Sequence, residues 1–185
     1  MQISIRKAML AEVPALEALI QASARGLRQG YSAEQVESAL GNALGVDRQL
    51  IRDGTYFVVE VGLERVACGG WSKRKTLFGS DHGPVKDHAW LNPANDPARI
   101  RAFFVHPAWA RRGIGSMLLR TCEEAALKEG FSRLELAATL PGVPLYRVRG
   151  FREFERIDVP LPNGQVLPVV RMQKSLRPTP SNSTR

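Results

Sequence analysis

The sequence is poor in cysteine and has no long apolar run. Its two cysteines, Cys68 and Cys122, make neither a disulfide framework nor a metal-binding pair, so a reduced, cytoplasmic setting is expected. No apolar run approaches the roughly 18 residues of a membrane-spanning helix. Arg6, Lys7 and Glu12 interrupt the N-terminal stretch that would have to be apolar in a secretory signal. We therefore expect neither membrane insertion nor export.

Two familiar phosphate-binding loops are also missing. No Gly-x-x-x-x-Gly-Lys-Ser/Thr string occurs, which excludes a P-loop. The pair Gly113-x-Gly115 begins like a dinucleotide-binding fingerprint, but Leu118 stands where that fingerprint needs its third glycine. A nucleotide-like ligand would therefore have to be held by another kind of loop.

Acidic residues are outnumbered, with 18 Asp and Glu against 26 Lys and Arg and a net charge of +8. Such an excess is typical of proteins that bind nucleic acid, an acidic membrane or a polyanionic small ligand. The basic residues are scattered, the densest run is Lys73–Lys75, and no aromatic RNA-binding motif accompanies it. A nucleic-acid-binding domain stays an alternative on charge alone, but we predict no nucleic-acid partner.

The length and hydropathy are those of one domain. A chain of 185 residues with 44% hydrophobic residues can bury a sizeable core. We place the domain at residues 1–176. The last residues, 177–185, contain almost nothing to bury and are expected to be a disordered tail.

The most informative stretch is FFVHPAWARRGIGSMLLRTCEEAALKEG, residues 103–130. It begins as an apolar, strand-like run, turns at Pro107, passes an Arg-Arg-Gly-Ile-Gly loop and continues as an amphipathic helix. Gly130 is a natural C-terminal cap for that helix. Its apolar face is predicted from helical spacing to comprise Ile114, Met117, Leu118, Cys122 and Ala125.

A loop of this kind at a helix N-terminus can bind an anion. The first backbone N–H groups of a helix have no partner within it, and the helix dipole adds partial positive charge. Gly113 and Gly115 remove side chains from the approach, and Arg111 and Arg112 add charge. The alternative is that the glycines serve only tight packing, and the physics of the loop does not decide between the two.

The same residues resemble the first motif of the GCN5-related N-acetyltransferase (GNAT) family. In that family a strand ends in Val-x-Pro and is followed by Gln/Arg-x-x-Gly-x-Gly/Ala at the start of a helix. Here Val105-His106-Pro107 and Arg111-Arg112-Gly113-Ile114-Gly115 fit with the family's spacing. Ala110 departs from the pattern, because it stands where the family has Gln or Arg.

A second motif follows in the right order. The family's Tyr-x-x-x-Gly-Phe appears as Tyr146 to Phe151, after the next predicted strand. Seven residues before the tyrosine the family often has an Asn that contacts the pantetheine arm of the cofactor, and here that residue is Thr139. The resemblance covers about residues 55–157 well and the ends of the chain loosely.

The resemblance implies an α/β fold, a mixed and twisted sheet of six or seven strands with helices on both faces. It implies acetyl-CoA as cosubstrate and direct transfer of an acetyl group to a primary amine of a small molecule or peptide. It makes Tyr146 the acid that protonates the leaving thiolate. A homodimer is common among such proteins. The cofactor-binding residues implied are Phe103, Phe104, Val105, Arg111, Arg112, Gly113, Ile114, Gly115, Ser116 and Thr139.

A non-catalytic module of the same fold, binding acyl-CoA as a sensor, is the main alternative. The resemblance identifies no general base, and three residues stay open for that role: Glu60, Glu135 and His106. It places the region between the first two helices over the acceptor pocket, which makes Tyr31, Arg25 and Arg28 candidates for its wall, with surface roles equally plausible for the arginines. Trp71 is either a pocket wall or plain core.

The remaining elements follow from periodicity and turn residues. A long segment over 75–98 lacks either period, which indicates a functional lid or a floppy insert. His82 and His88 lie in it without a rigid frame, so we predict no metal site. Gly69-Gly70 within a strand indicates a bulge or a close backbone approach. We predict helices over 11–24, 33–44 and 144–149 and strands over 2–7, 55–61, 66–73, 101–105, 132–138, 151–159 and 165–174.

Overall fold

The computed structural model describes residues 2–27, 29–84 and 86–176. Its centre is one seven-stranded sheet whose strands are β1 (Ile3–Lys7), β2 (Tyr56–Val61), β3 (Glu64–Ser72), β4 (Ala98–Val105), β5 (Arg133–Thr139), β6 (Arg152–Pro160) and β7 (Val166–Ser175). Their spatial order is β1-β2-β3-β4-β5-β7-β6. All neighbours are antiparallel except β4 and β5, which are parallel. The expected tail at 177–185 lies outside the described residues.

Helices cover both faces of this sheet. They are α1 (Val13–Arg25), α2 (Ala33–Ala39), α3 (Arg48–Arg52), α4 (Ile114–Lys128) and α5 (Val143–Val148). Successive residues of a strand point to opposite faces, so Phe57 of β2 packs in the apolar cluster that contains α4, while Val58 packs in the cluster that contains α1. The predicted α/β class, with helices on both faces, is confirmed. Among the described residues, no helix has both the length and the apolar character that a membrane span needs.

The largest differences between the predicted and observed elements are in three places. The helix predicted over 33–44 ends at Ala39, because Gly41 adopts a left-handed φ of +76° that an α-helix cannot continue. The short helix α3 follows, capped by the Asp47 side chain on the Gln49 N–H at 2.9 Å, and was missed because it has five residues. Strand β4 begins at Ala98, three residues before the predicted start.

The segment over 75–98 has no helix or strand of its own, as predicted, but it is anchored. The Thr76 N–H donates to the Asp87 carbonyl at 3.0 Å, so the segment folds back on itself. The Ser80 N–H donates to the Asn42 carbonyl at 2.8 Å, which fixes the segment to the turn after α2. Within its described residues the segment is therefore hydrogen-bonded to itself and to the rest of the fold.

The glycine pair of β3 marks the irregularity that the sequence predicted. The pairing of β3 with β4 shifts between Cys68 and Gly70. A Cβ on Gly70 would lie 2.4 Å from the Thr55 carbonyl oxygen, and a Cβ on Gly69 would lie 2.5 Å from Cδ2 of Phe103. Both positions therefore need glycine, because neighbouring atoms occupy the space of a side chain.

We predict that Gly70→Ala lowers the free energy of unfolding by about 1–3 kcal/mol, because the new methyl group meets backbone that must move. Urea unfolding measures this. Leu63→Ala is the control, since Leu63 is 99% exposed in the β2–β3 turn and should leave stability unchanged. Equal stability of Gly70→Ala and the parent protein would contradict the close approach.

Candidate functional site

The centre of the sheet contains an opening between its two parallel strands. Strands β4 and β5 pair only at Ala98 with Leu134 and at Arg99 with Glu135. Beyond these two pairs the strands separate, and the main-chain groups of β4 that face β5 lose their partners there. The cleft between them is lined by Ala43, Leu44, Gly45, Leu77, Phe78, Gly79, Ile100, Arg101, Ala102, Phe103, Phe104, Leu136, Ala137, Ala138, Thr139 and Tyr146.

The separation coincides with a bulge in β4. Phe104 pairs with Cys68 and Arg101 pairs with Gly70, so three steps along β4 match two along β3. Ala102 lies in the extra step with a positive φ of 52°, which a non-glycine residue rarely adopts. A bulge bends its strand, and this one turns β4 away from β5.

The hydroxyl of Tyr56 holds this bulge. It donates to the Ala102 carbonyl at 2.9 Å, and the tyrosine is only 1% exposed. Burial raises the pKa of Tyr56 well above its ordinary value, so the hydroxyl stays a donor. Sequence reasoning missed this residue, and the one available signal was a hydroxyl in the otherwise apolar run that opens β2.

The loop after β4 has the backbone of an anion-binding nest. Arg111 and Gly113 have positive φ values of 63° and 80°, and α4 begins directly afterwards at Ile114. Alternating backbone conformations of this kind turn successive N–H groups toward one point, where the first N–H groups of the helix join them. Ala102 and Arg111 are the non-glycine residues of the described chain with positive φ, and both lie at this site.

Side chains around the nest leave its centre open. Arg112 stacks on the Trp109 ring with its guanidinium carbon 4.9 Å from the ring centroid, and the Trp109 Nε1 donates to Glu64 at 3.0 Å. A Cβ on Gly115 would lie 3.1 Å from Cδ2 of Leu145. The glycine therefore lets α4 approach α5, so it serves packing as well as access.

Tyr146 stands on α5 against the cleft. Its ring packs edge to face on Phe103 and Phe151, with centroids 6.4 Å and 5.7 Å away. Burial, followed by the nearby Cys122 thiol, raises the pKa of Tyr146. No hydrogen bond to its hydroxyl is found within the described chain, so the phenol is protonated and free to donate. Thr139 lines the same cleft at the end of β5.

Val105 and Ile114 differ from the other residues implied by the motif. Val105 pairs with Ala67 and packs at the α4 side, outside the cleft lining. The Ile114 side chain is buried in the core at 2% exposure, so only its backbone N–H belongs to the loop. The structure brings the remaining implied residues to the cleft, to the loop after β4 or to the first turn of α4.

The residues expected to wall the acceptor pocket lie elsewhere. The Tyr31 hydroxyl donates to the Pro168 carbonyl at 2.6 Å and accepts from the Leu140 N–H at 2.9 Å, so it ties the loop before α2 to β7. Arg25 pairs at the surface with Glu37, with N and O 3.1 Å apart. Trp71 is core, edge to face on Phe131. Neither Tyr31 nor Arg25 lines the cleft between β4 and β5, and Arg28 lies outside the described residues.

The three open candidates for a base are also away from the cleft. Glu60 accepts from Arg6 at 2.6 Å, and Glu135 is held by Arg171 and, at 2.6 Å, by Arg99. The Nδ1 of His106 accepts from the Ala108 N–H at 3.2 Å, which stabilises the turn after β4. None of them lines the cleft.

The structure supports no chemical role for two further sequence features, the histidines of the 75–98 segment and Cys122. In the part of the chain that the structure describes, no three His, Cys, Asp or Glu side chains come together as a metal site, and this includes His82 and His88. Cys122 is fully buried, and burial raises the pKa of its thiol well above the ordinary value. Such a thiol is inert.

Comparison with known proteins identifies the fold and the family. The model of the acetyltransferase (GNAT) family matches residues 17–151. A GCN5-related N-acetyltransferase from Rhodopseudomonas palustris superposes with a TM-score of 0.72 at 22% identity, over 95% of this chain and 97% of that one. The PaiA N-acetyltransferase of Thermoplasma acidophilum, solved with coenzyme A, gives 0.64 at 17% identity over 95% and 99%. A ribosomal-protein-alanine N-acetyltransferase from Brucella melitensis gives 0.63 at 22% identity over 94% and 99%. No curated protein matches the chain.

The seven-stranded mixed sheet with its five helices matches the fold of these neighbours. The family match covers well over half of the sequence, and the chain belongs to the acetyltransferase (GNAT) family. The resemblance stated from the sequence is confirmed. The protein is accordingly an acyltransferase with acetyl-CoA as its cosubstrate.

We predict that Tyr56→Phe lowers the free energy of unfolding by about 1–3 kcal/mol, because it removes the hydroxyl that donates to the half-buried Ala102 carbonyl. Tyr146→Phe is the matched control, since its hydroxyl has no partner in the described chain and its loss should barely change stability. Urea unfolding of both variants makes the comparison. Equal stabilities would show that the hydroxyl of Tyr56 does not hold the bulge.

Proposed function

We propose that the protein is an acetyl-CoA-dependent N-acetyltransferase that transfers the acetyl group directly to a primary amine of a small molecule or peptide. The observation that carries this proposal is the cleft between β4 and β5, which has the Tyr146 side chain in its wall. Family membership supports the general reaction. The acceptor class and the roles of individual residues belong to the same proposal.

The chain's own geometry fits the cosubstrate, whose acetyl thioester is the group to be transferred. Main-chain groups of Phe103, Phe104 and Val105 would pair with the extended pantetheine arm along the free edge of β4. Thr139 would contact the same arm from β5. The pyrophosphate would be held by the N–H groups of Arg111, Arg112, Gly113, Ile114, Gly115 and Ser116.

The Ala110 departure from the family motif does not remove this binding site. Backbone N–H groups carry most of the proposed contact, and they depend on φ values rather than on a side chain at residue 110. The exposed Arg111 and Arg112 supply the formal charge that a Gln or Arg at 110 would add. We therefore propose that the departure costs little cosubstrate affinity.

Tyr146 would act as the general acid. A phenol donates to a leaving thiolate only while it is protonated, and burial in the cleft raises the pKa of Tyr146. The cleft lining of the described chain contains no carboxylate and no histidine. The acceptor amine would therefore enter the cleft neutral or release its proton to water, and main-chain donors of the β4 bulge would stabilise the oxyanion.

Binding of acetyl-CoA should depend on the nest. Acetyl-CoA at 100 times its dissociation constant should stabilise the protein by about 2.7 kcal/mol, with ATP as the phosphate control. Gly113→Ala should abolish most of this thermal shift, because the left-handed φ strains alanine by about 1–2 kcal/mol and distorts the N–H groups.

Gly62→Ala is the matched control for the nest. Gly62 has a positive φ of 62° and open space around its missing Cβ, as Gly113 does at 80°, but it lies in the β2–β3 turn. Both variants should lose similar stability, and only Gly113→Ala should lose the response to acetyl-CoA. An equal response in both would remove the loop from the binding site.

Turnover, but not binding of acetyl-CoA, should depend on the Tyr146 hydroxyl. Tyr146→Phe should lower kcat for amine-dependent thiol release about 100-fold or more, while the thermal shift with acetyl-CoA persists. In the parent protein the rate should rise with pH as the amine deprotonates, with no fall at or below about pH 10 from loss of the phenol proton, because its pKa is raised above the ordinary tyrosine value.

Two results would count against this role. An unchanged kcat in Tyr146→Phe would exclude the tyrosine as the acid. Binding of acetyl-CoA without thiol release on adding any amine would favour the non-catalytic, acyl-CoA-sensing module instead.

A further inference from the structure

One charged side chain lines the otherwise uncharged cleft of the described chain. That residue is Arg101, which is 3% exposed. It lies on β4 beside the bulge, and its neighbours in the wall include Leu44, Leu77 and Phe78. A guanidinium that is buried among apolar groups requires a reason, because an unpaired buried charge is costly.

The groups around Arg101 satisfy only some of its hydrogen-bond donors. One of its terminal nitrogens, Nη2, donates to Asp47 at 2.9 Å and to the Gly79 carbonyl at 2.8 Å. Nη1 donates to the Thr76 carbonyl at a long 3.3 Å. The buried Nε–H has no acceptor among the described residues.

Asp47 does not balance this charge by itself, because a second cation shares it. The Lys86 Nζ lies 2.9 Å from the same Asp47 oxygen that Arg101 contacts. Two positive groups and one negative group give this cluster a net charge of one positive unit. Asp47 is 2% exposed, so water screens little of it.

The neighbouring arginines show the contrast. Arg48 pairs with Asp81, and Arg74 pairs with Asp53 at 2.7 Å. Each of these cations has a carboxylate of its own, whereas Arg101 and Lys86 share Asp47, and we call these three residues the Arg101 cluster.

The cosubstrate does not supply the missing anion. Arg101 contacts Asp47 and the segment over 76–79, on the sheet face of α1, whereas its neighbour Ile100 packs on the face of α4. The nest for the phosphates lies at the start of α4. The Arg101 cluster therefore faces the side of the cleft that the nest does not serve.

We propose that the acceptor is a carboxylate-bearing amine with an apolar body, of the amino-acid class, and that Arg101 binds its carboxylate. This rests on the proposed function, since it names the acceptor of the same cleft. The carboxylate completes the charge balance of the Arg101 cluster and offers Arg101 further acceptors. The apolar walls around Leu77 and Phe78 take the body of the substrate.

The test compares matched amines by thiol release from acetyl-CoA. Phenylalanine should be used at least 10-fold better in kcat/KM than phenylalaninamide, although the amide has more neutral amine at a given pH. Spermidine, which has no carboxylate, should be a poor acceptor. Equal or better use of the amide or of spermidine would overturn the proposal while leaving the acetyltransferase activity in place.

Lys86→Met is the sharpest variant, because it removes the excess charge and leaves the pair of Arg101 and Asp47 intact. It should raise KM for phenylalanine at least 5-fold and leave both KM for acetyl-CoA and use of the amide unchanged. Lys75→Met, a change of an exposed lysine in the same segment, is the control. An unchanged KM in Lys86→Met would contradict the electrostatic argument.

A binding measurement separates this inference from the proposed function. With coenzyme A present, 3-phenylpropanoate should raise the Tm of the parent protein, 3-phenylpropanamide should not, and Lys86→Met should lose the effect. Arg101→Gln should lose it too if that variant folds, which its circular dichroism will show. A Tm shift with 3-phenylpropanoate but no turnover of any amine would overturn only the enzymatic proposal. Equal Tm shifts with 3-phenylpropanoate and 3-phenylpropanamide would overturn only carboxylate binding.

Discussion

The extra residue in β4 is the constraint on which the site depends. Three steps of β4 match two of β3, and the excess is taken up at Ala102 with a positive φ. Glycines at 69 and 70 leave room for the irregular strand, and the buried Tyr56 hydroxyl ties down its carbonyl. A bulge increases the local bend and twist of its strand. The parallel pairing with β5 is therefore lost after two residue pairs, and the cleft opens in the middle of the sheet instead of at its edge.

Local patterns in the sequence predicted most of the sheet and the loop after β4. Each of these features is determined by a few neighbouring residues and can be recognised in the sequence. They are the strand-loop-helix unit over 103–130, the glycine pair in β3 and the cap at Gly130, which has a φ of 90°. The family resemblance added the order in which the two motifs follow one another along the chain. Helix α3 was missed because five residues are too few for a period.

The charged part of the cleft could not be predicted in this way. Arg101 and Asp47 are 54 residues apart, and each looks like an ordinary surface charge in its own stretch of sequence. The hydrogen bond of the Tyr31 hydroxyl to Pro168, 137 residues away, could not be predicted for a similar reason. Such contacts depend on which elements the fold brings together, and neither periodicity nor turn chemistry records them.

The bulge also decides which side chains share a face. In a regular strand, residues two apart point to the same side, and Arg101 and Phe103 would do so. The extra residue breaks this alternation: Arg101 and Ala102 both face the side of α1, and Phe103 turns to the side of α4, where it meets Tyr146. On the proposed roles, the arginine that holds the acceptor and the phenol that protonates the leaving group must act from opposite sides of the reacting thioester. One additional residue in one strand produces that separation, so removing the irregularity would close the cleft and also place the arginine against the acid.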